Sequence, residues 1–417
     1  MTGEKDLAWL QKPSQKEPIF DGSPHVSTCL DTTPPMTHGL RSMLSRLPGG
    51  VKSIGAFVLI LFAYTLQTES MQHIQQKMGY TKPLFLLYLT HSSFVVLLPL
   101  QLGLMHMFSE YPTAHVMDLL RRDVNKQLRY YLGKHTAEPL SHLYLLATLG
   151  TLLVVLTVAL TVPSISWFLA VPLTSMANIT AIYNTFSLWA LVLSVYFLHE
   201  NWTYLQAMAV LLGILGVAMS AYGSTTRPAV RAEASSSTLH LSPALYGNAL
   251  SLLGALSMAG YEVLYKRLTT IPYGSDGSFQ RLPEEEDYAE ESRIEAEQSL
   301  PFGVHAMAMM SGIGLATFLL FWFPLFMAHL TGFETFQMPD NWILVTWITI
   351  SVLCGVIFNG CFAILLSLWG PVLASMSCLL TTVIVQLTDV LLGVPFSWLS
   401  MAGNLIITVS FLCLLPW

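Results

Sequence analysis

Over 417 residues the chain is 53% hydrophobic and 11% charged, with a formal net charge of -6 and a mean hydropathy of +0.57. That composition excludes a set of soluble domains and describes a polytopic membrane protein. The acid excess is concentrated in one loop, which excludes nucleic acid as a partner.

The first fifty residues are polar and rich in Pro and Ser, without the short apolar core and small-residue cleavage site of a secretory signal. They read as a disordered cytosolic tail, residues 1-50. A hydrocarbon layer about 30 Å thick takes about 20 apolar residues per helix, and the chain offers such runs at 51-70, 83-107, 141-171, 174-198, 203-222, 243-265, 302-330, 342-368, 370-393 and 397-416. The fold class expected is an all-α membrane protein of ten transmembrane helices. A β-barrel is excluded because the runs are long and continuous, not alternating segments of ten.

In chain order, the second span carries His91 between Thr90 and Ser92, either a proton relay near neutral pH or a structural histidine. Trp167 closes the third, where a flat cationic ring would stack or neighbouring helices would pack. The fourth holds Asn178, Tyr183 and Asn184, and Glu200 follows it. The sixth ends in "AGYEVLYKRL": Glu262 either pairs with Lys266 four residues on or serves cargo or protons, and Tyr261 with Tyr265 either walls a cavity or joins an interfacial aromatic belt. Asn359 sits in the eighth, Gln386 and Asp389 on one face of the ninth. Buried amides need a partner, a water or a ligand, and an intramembrane carboxylate marks an ion or substrate path unless a neighbouring helix bonds it. Four of the five cysteines (Cys354, Cys361, Cys378, Cys413) fall in spans at no metal-ligand spacing and read as small hydrophobes.

With the N-terminus inside, fifteen of the nineteen Lys and Arg are cytosolic, leaving Lys77, Lys82, Arg227 and Arg231 outside. Both termini are therefore expected in the cytosol. No cation lies deep in the membrane. The connection 223-242 is non-cytosolic, and loop 266-301, with "PEEEDYAEESRIEAEQ", is an acidic cytosolic linker or docking site. Of the sequons at Asn178 and Asn201, neither is expected to carry a glycan; mass spectrometry finding one on Asn201 would reverse the orientation.

The halves echo each other: "WFLAVPLTSMANITAIYNTFSLWALVLS" can be laid on "GCFAILLSLWGPVLASMSCLLTTVIVQL". Five helices per half is an odd number, so the second copy enters upside down, and such inverted repeats bind substrate near the midplane. "LTSMANITAIYNT", "FLHENWTYLQ" and "LLGILGVAMSAYG", with Glu200, Gly216 and Val217, resemble the EamA-like proteins of the drug/metabolite transporter superfamily. "SMAGYEVLYKRL" and "FNGCFAILLSLWGPVLASMSCLLTTVIVQLTDVLLG" are similar to subfamily F of solute carrier family 35, through Tyr261, Lys266, Asn359, Gly370, Pro371 and Asp389. The chain departs from that pattern at Ser164-Ile165, where an Asn-Tyr pair is usual, and at Glu262. The resemblance implies a ten-helix alternating-access carrier. It also implies two repeats, 51-222 and 243-416, and cargoes ranging from thiamine to nucleotide sugars.

A phosphate-bearing cargo would want Lys or Arg within the helices, and none is there; the acidic inventory is Glu69, Glu200, Glu262 and Asp389. The function expected is secondary transport of a small organic solute, a cation such as thiamine, with a nucleotide-sugar antiporter and a non-transporting receptor or scaffold as alternatives. Candidate substrate-binding residues are Asn184, Tyr183, Trp167, Asn359, Gln386, Asp389, Tyr261 and Glu262; His91 and Asp389 are the candidates for proton coupling. The absence of His-Glu-x-x-His, Gly-x-Ser-x-Gly and Gly-x-Gly-Asp argues against an enzyme, and no cofactor or metal is expected. The partners are a small-molecule substrate, the lipid bilayer and, as a homodimer, a second copy; the membrane is an endomembrane (vacuole or Golgi) or the plasma membrane.

Overall fold

The computed structural model describes residues 48-108, 112-132, 141-174, 176-223, 243-270, 300-391 and 397-414. Apart from their edges, the expected tail, the 223-242 connection and the acidic loop lie outside the described residues. Every described element is helical. Helix α1 is Gly50–Gln72, prolonged by a π-helical turn His73–Lys77. Pro83 opens α2, Pro83–Ser92, and a tight turn Ser93–Val96 leads into α3, Leu97–Phe108. After α4, Thr113–Tyr131, come α5, His142–Ala170, α6, Met176–Tyr183, and α7, Phe186–Leu193, which runs into a π-helical turn Ser194–Leu198. The remainder is α8, Tyr204–Gly223, α9, Pro243–Thr269, α10, Val304–Leu320, α11, Trp322–Leu330, α12, Trp342–Leu391, and α13, Trp398–Leu414.

Among the described residues, seven helical stretches are long and apolar enough to cross a membrane, and α13 is a shorter apolar helix. The chain is an all-α multi-pass membrane protein. The sixth expected span does form as α9, which is not among those seven. Expected spans eight and nine form one 50-residue element broken at Gly370, whose φ of 81° and ψ of 172° are non-helical. Glycine adopts that φ without a Cβ clash, and Pro371 is suited to restart a helix because its missing N–H is not needed there.

Helix α4 corrects the reading of its stretch as a connecting loop. Pro112 enters it with extended backbone, and Val116, Leu119, Leu120 and Leu128 recur on one buried face while Arg121, Arg122 and Lys126 stay clear of it. Gln127 pins it to the bundle: its Nε2 donates to the Leu268 carbonyl at 2.6 Å, and its Oε1 lies 2.8 Å from His305 Nε2.

Hydroxyls inside the bundle bond back to their own helices, as Thr90 to the Leu86 carbonyl at 2.8 Å and Thr157 to that of Leu153 at 2.7 Å. Such local bonds satisfy polar side chains where there is no water to do it. Small residues allow close helix contact, a common device in membranes. A Cβ on Gly216 of α8 would fall 2.7 Å from the Gly403 carbonyl oxygen of α13, and one on Gly403 would fall 2.5 Å from that of Gly216. Outward-facing Val58, Leu59, Phe62, Leu211, Leu253, Phe318 and Leu319 are exposed, as a lipid-facing surface requires.

The connector after α11 holds the start of α2. Glu334, only 6% exposed, accepts from the N–H groups of Leu84 and Phe85 at 2.8 and 2.9 Å, and Tyr80 Oη donates to the Gln337 carbonyl at 2.7 Å. A carboxylate there satisfies two N–H groups of the first turn and complements the positive helix end. Glu334→Ala is expected to lose about 1–3 kcal/mol of stability, read as a lower melting temperature in detergent; Glu334→Gln, which keeps one acceptor, should lose less.

Candidate functional site

The polar residues of α1 recur every four positions at Tyr64, Thr68 and Gln72, with Thr65 and Glu69 alongside, and so share a face of an otherwise apolar helix. That face lines a cavity of about 230 Å³ together with Trp167, Ile179, Thr180, Tyr183, Asn184, Ser220, Thr381, Thr382 and Gln386. A second cavity of about 90 Å³ adjoins it through Tyr64, Thr68, Trp167 and Tyr183, which line both. Its further walls are Gln67, Ser164, Met258, Phe358, Asn359 and Cys378.

Helix ends and breaks place several of these side chains. Trp167 stands in the last turn of α5 and packs edge-on against Phe168 at 5.3 Å. Tyr183 ends α6, and Asn184 falls in the interruption before α7, where the chain turns without a full helical ladder. Asn359 donates to the Gly355 carbonyl at 2.9 Å, and Gln386 accepts a hydrogen bond from the Asn404 amide. Elsewhere on α1, Gln72 donates to Gln76 Oε1 at 3.1 Å and Gln76 to the Val171 carbonyl at 2.9 Å, tying α1 to the end of α5.

Among the described residues lining the two cavities, Glu69 is the one that is formally charged, and none is Lys or Arg. Cations gather instead around a separate recess of about 540 Å³, which Lys266 and Arg267 line with Tyr130, Tyr131, Phe197 and Glu200. There Lys266 Nζ donates to the Ser367 carbonyl at 2.5 Å. The break at Gly370 takes the helical N–H donor away from that carbonyl, and the ammonium supplies one in its place. Burial pushes the Glu200 carboxyl up from its ordinary value, against the opposing pull of Lys266.

The structure thus brings Trp167, Tyr183, Asn184, Asn359 and Gln386 to the two cavities. Tyr261 and Glu262 lie outside both linings. Tyr261 is buried with its hydroxyl 3.6 Å from Met310 Sδ, and Tyr265 is wholly buried, so neither forms an interfacial belt. Glu262 makes no pair with Lys266: it is 0% exposed and neither carboxyl oxygen has a hydrogen-bond partner. His91 is buried against Phe94, ring centroids 5.0 Å apart, away from the cavity linings. The backbone of Asp389 continues α12, but its side chain lies outside the described residues. Glu69, Tyr64, Thr68 and Thr381 are additions to the expected site; the four-residue recurrence in "YTLQTESMQ" is the signal that marks the α1 members. Among the described residues no group of three His, Cys, Asp or Glu is placed to hold a metal.

Residues 131–222 match the EamA-like transporter family. Solute carrier family 35 member F5 of Mus musculus is 27% identical over 252 residues, covering 57% of this chain and 38% of that protein. The Bos taurus protein of the same name is 28% identical over 250 residues, with 57% and 38% covered, and that of Macaca fascicularis is 27% identical, with 57% and 46% covered. The chain thus aligns with less than half the length of these curated relatives. A solved structure titled only "Crystal structure of protein" superposes with a TM-score of 0.50 at 14% identity, covering 87% of this chain and 96% of that one, a likeness of fold.

Proposed function

We propose that the chain is a secondary carrier that moves a small organic cation, thiamine being the first to test, by alternating access. Its ten helices form two inverted five-helix repeats, 51-222 and 243-416, with both termini in the cytosol. The observation that carries this reading is the polar cavity whose described lining residues include one formal charge, that of Glu69, and no cation. In a low-dielectric enclosure a carboxylate favours a positive solute strongly and disfavours a phosphate. Trp167, Tyr64 and Tyr183 give π-faces on which a cationic ring rests. Asn184, Asn359 and Gln386 offer polar atoms to its edges.

Size argues the same way. A cavity of about 230 Å³ falls below the roughly 300–1,000 Å³ that encloses drug-sized ligands, which suits a single small metabolite better than a nucleotide sugar. The EamA-like match over 131–222 supports transport over catalysis and over a receptor or scaffold.

The test is a thermal-shift screen of the purified full chain against vitamins, amines and nucleotide sugars, since a ligand at 100 Kd stabilises by about 2.7 kcal/mol. Counterflow in proteoliposomes with the best stabiliser follows. Stabilisation by nucleotide sugars alone would overturn the cation reading, and binding without counterflow would favour a receptor.

A further inference from the structure

Glu262 is wholly buried on α9, two turns before its end, and both carboxyl oxygens lack a hydrogen-bond partner. Among the described residues no cation bears on it: Lys266, one turn on, is engaged with the Ser367 carbonyl and faces Glu200. The titratable groups within electrostatic reach are Tyr183, at the end of α6, Cys378 of α12 and Tyr261 on its own helix. Tyr183 lines both cavities, and Cys378 and Met258, the latter one turn before Glu262 on α9, line the smaller one, so Glu262 lies close to the cavity wall.

An isolated carboxylate in such surroundings costs several kcal/mol or more, whereas a neutral acid costs only what an unbonded polar group does. A carboxyl with no partner in one state of a moving protein also has no structural employment in that state. Its use lies where the wall opens. From the juxtaposition of this unpartnered carboxyl with the Tyr183–Cys378 wall, we infer that Glu262 is a proton-binding site of the carrier. It holds one proton while enclosed as here, and gives it to water when Tyr183 and Cys378 part and the cavity reaches it.

This rests on the carrier reading and sharpens it. A single-charge organic cation exchanged for that proton moves no net charge: the O–H bond of Glu262 breaks on one side, a carboxylate remains to accompany the cation, and a proton from the other side restores the acid. A one-unit pH difference then sustains about a tenfold concentration ratio of the solute.

Two measurements on the full-length chain test it. Infrared spectra in lipid nanodiscs at neutral pH should contain the C=O band of a protonated carboxyl that Glu262→Gln lacks and Glu262→Asp shifts; a spectrum in which neither substitution alters such a band overturns the inference without reference to any solute. In proteoliposomes with radiolabelled thiamine as probe, the wild type should accumulate it about tenfold under a one-unit pH gradient, and Glu262→Gln should lose that accumulation whereas Glu262→Asp, which keeps a carboxyl, should retain it. Accumulation retained by Glu262→Gln overturns proton coupling at this residue. Absence of wild-type counterflow overturns thiamine as cargo, and the infrared band then decides the proton site by itself. Should Glu262→Gln fail to fold, the Glu262→Asp band position and its pH titration decide.

Discussion

Glu69→Gln is expected to weaken binding of a cationic solute by about 10–100-fold, since a hydrogen bond or contact to a charged group contributes about 1.5–3 kcal/mol. The substitution keeps the size and hydrogen-bonding capacity of the side chain and removes the one formal charge among the described cavity-lining residues. The loss should appear in the thermal shift and in KM for uptake, and it should be larger for a cation than for a neutral analogue of equal shape. Equal losses for both would mean that Glu69 shapes the cavity and does not recognise charge. A gain in affinity for a nucleotide sugar with no loss for cations would favour an anionic cargo. Glu69→Asp, which retains the charge on a shorter stem, should recover part of the affinity.

The second large effect concerns the contact between α8 and α13. Gly216→Val or Gly403→Val is expected to destabilise the chain at or beyond the upper end of the about 1–3 kcal/mol typical of overpacking. The clash at 2.7 and 2.5 Å is with backbone oxygens, which cannot swing aside as a side chain can. The same separation would break the bond from Ser400 Oγ to the Ser220 carbonyl, 3.1 Å, and move Ser220, which lines the cavity. Thermal unfolding in detergent measures this, with Gly103→Ala as the control: no atom lies within 4 Å of its Cβ position, and alanine favours helix over glycine. A control that falls as far as Gly216→Val would show that detergent solubility, not helix contact, sets the result.

Much of the architecture is legible from apolar length alone, because a bilayer admits only helices or closed barrels and helices need long apolar runs. Gly370-Pro371 shows as a break for the same local reason: one residue takes positive φ, and the next offers no N–H. Helix α4 is less visible because its cations speak first of membrane orientation, while the three-and-four spacing of Val116, Leu119, Leu120 and Leu128 carries the structural information. Depth along a span does not say which way a side chain faces. Glu69, close to the expected end of the first span, counts from sequence only as one of four acidic residues, and it joins the site once the α1 stripe is placed against Trp167 and Gln386. The Glu262–Lys266 pair fails for a tertiary reason: an i,i+4 rule assumes that both partners are otherwise free, and Lys266 is drawn away by a carbonyl 101 residues distant in the chain.

That lysine bond has an evolutionary corollary. Lys266 fills a vacancy that the break at Gly370 leaves on the Ser367 carbonyl, so the ammonium and the break belong together. In a double-mutant cycle, Lys266→Ala should be costly in the parent chain and less so once Gly370→Ala with Pro371→Ala lets the helix run through and supply an amide, a signature of epistasis. Lineages that close the Gly370-Pro371 break should be free to relinquish the ammonium as well, and a search across orthologues should find these positions drifting in concert.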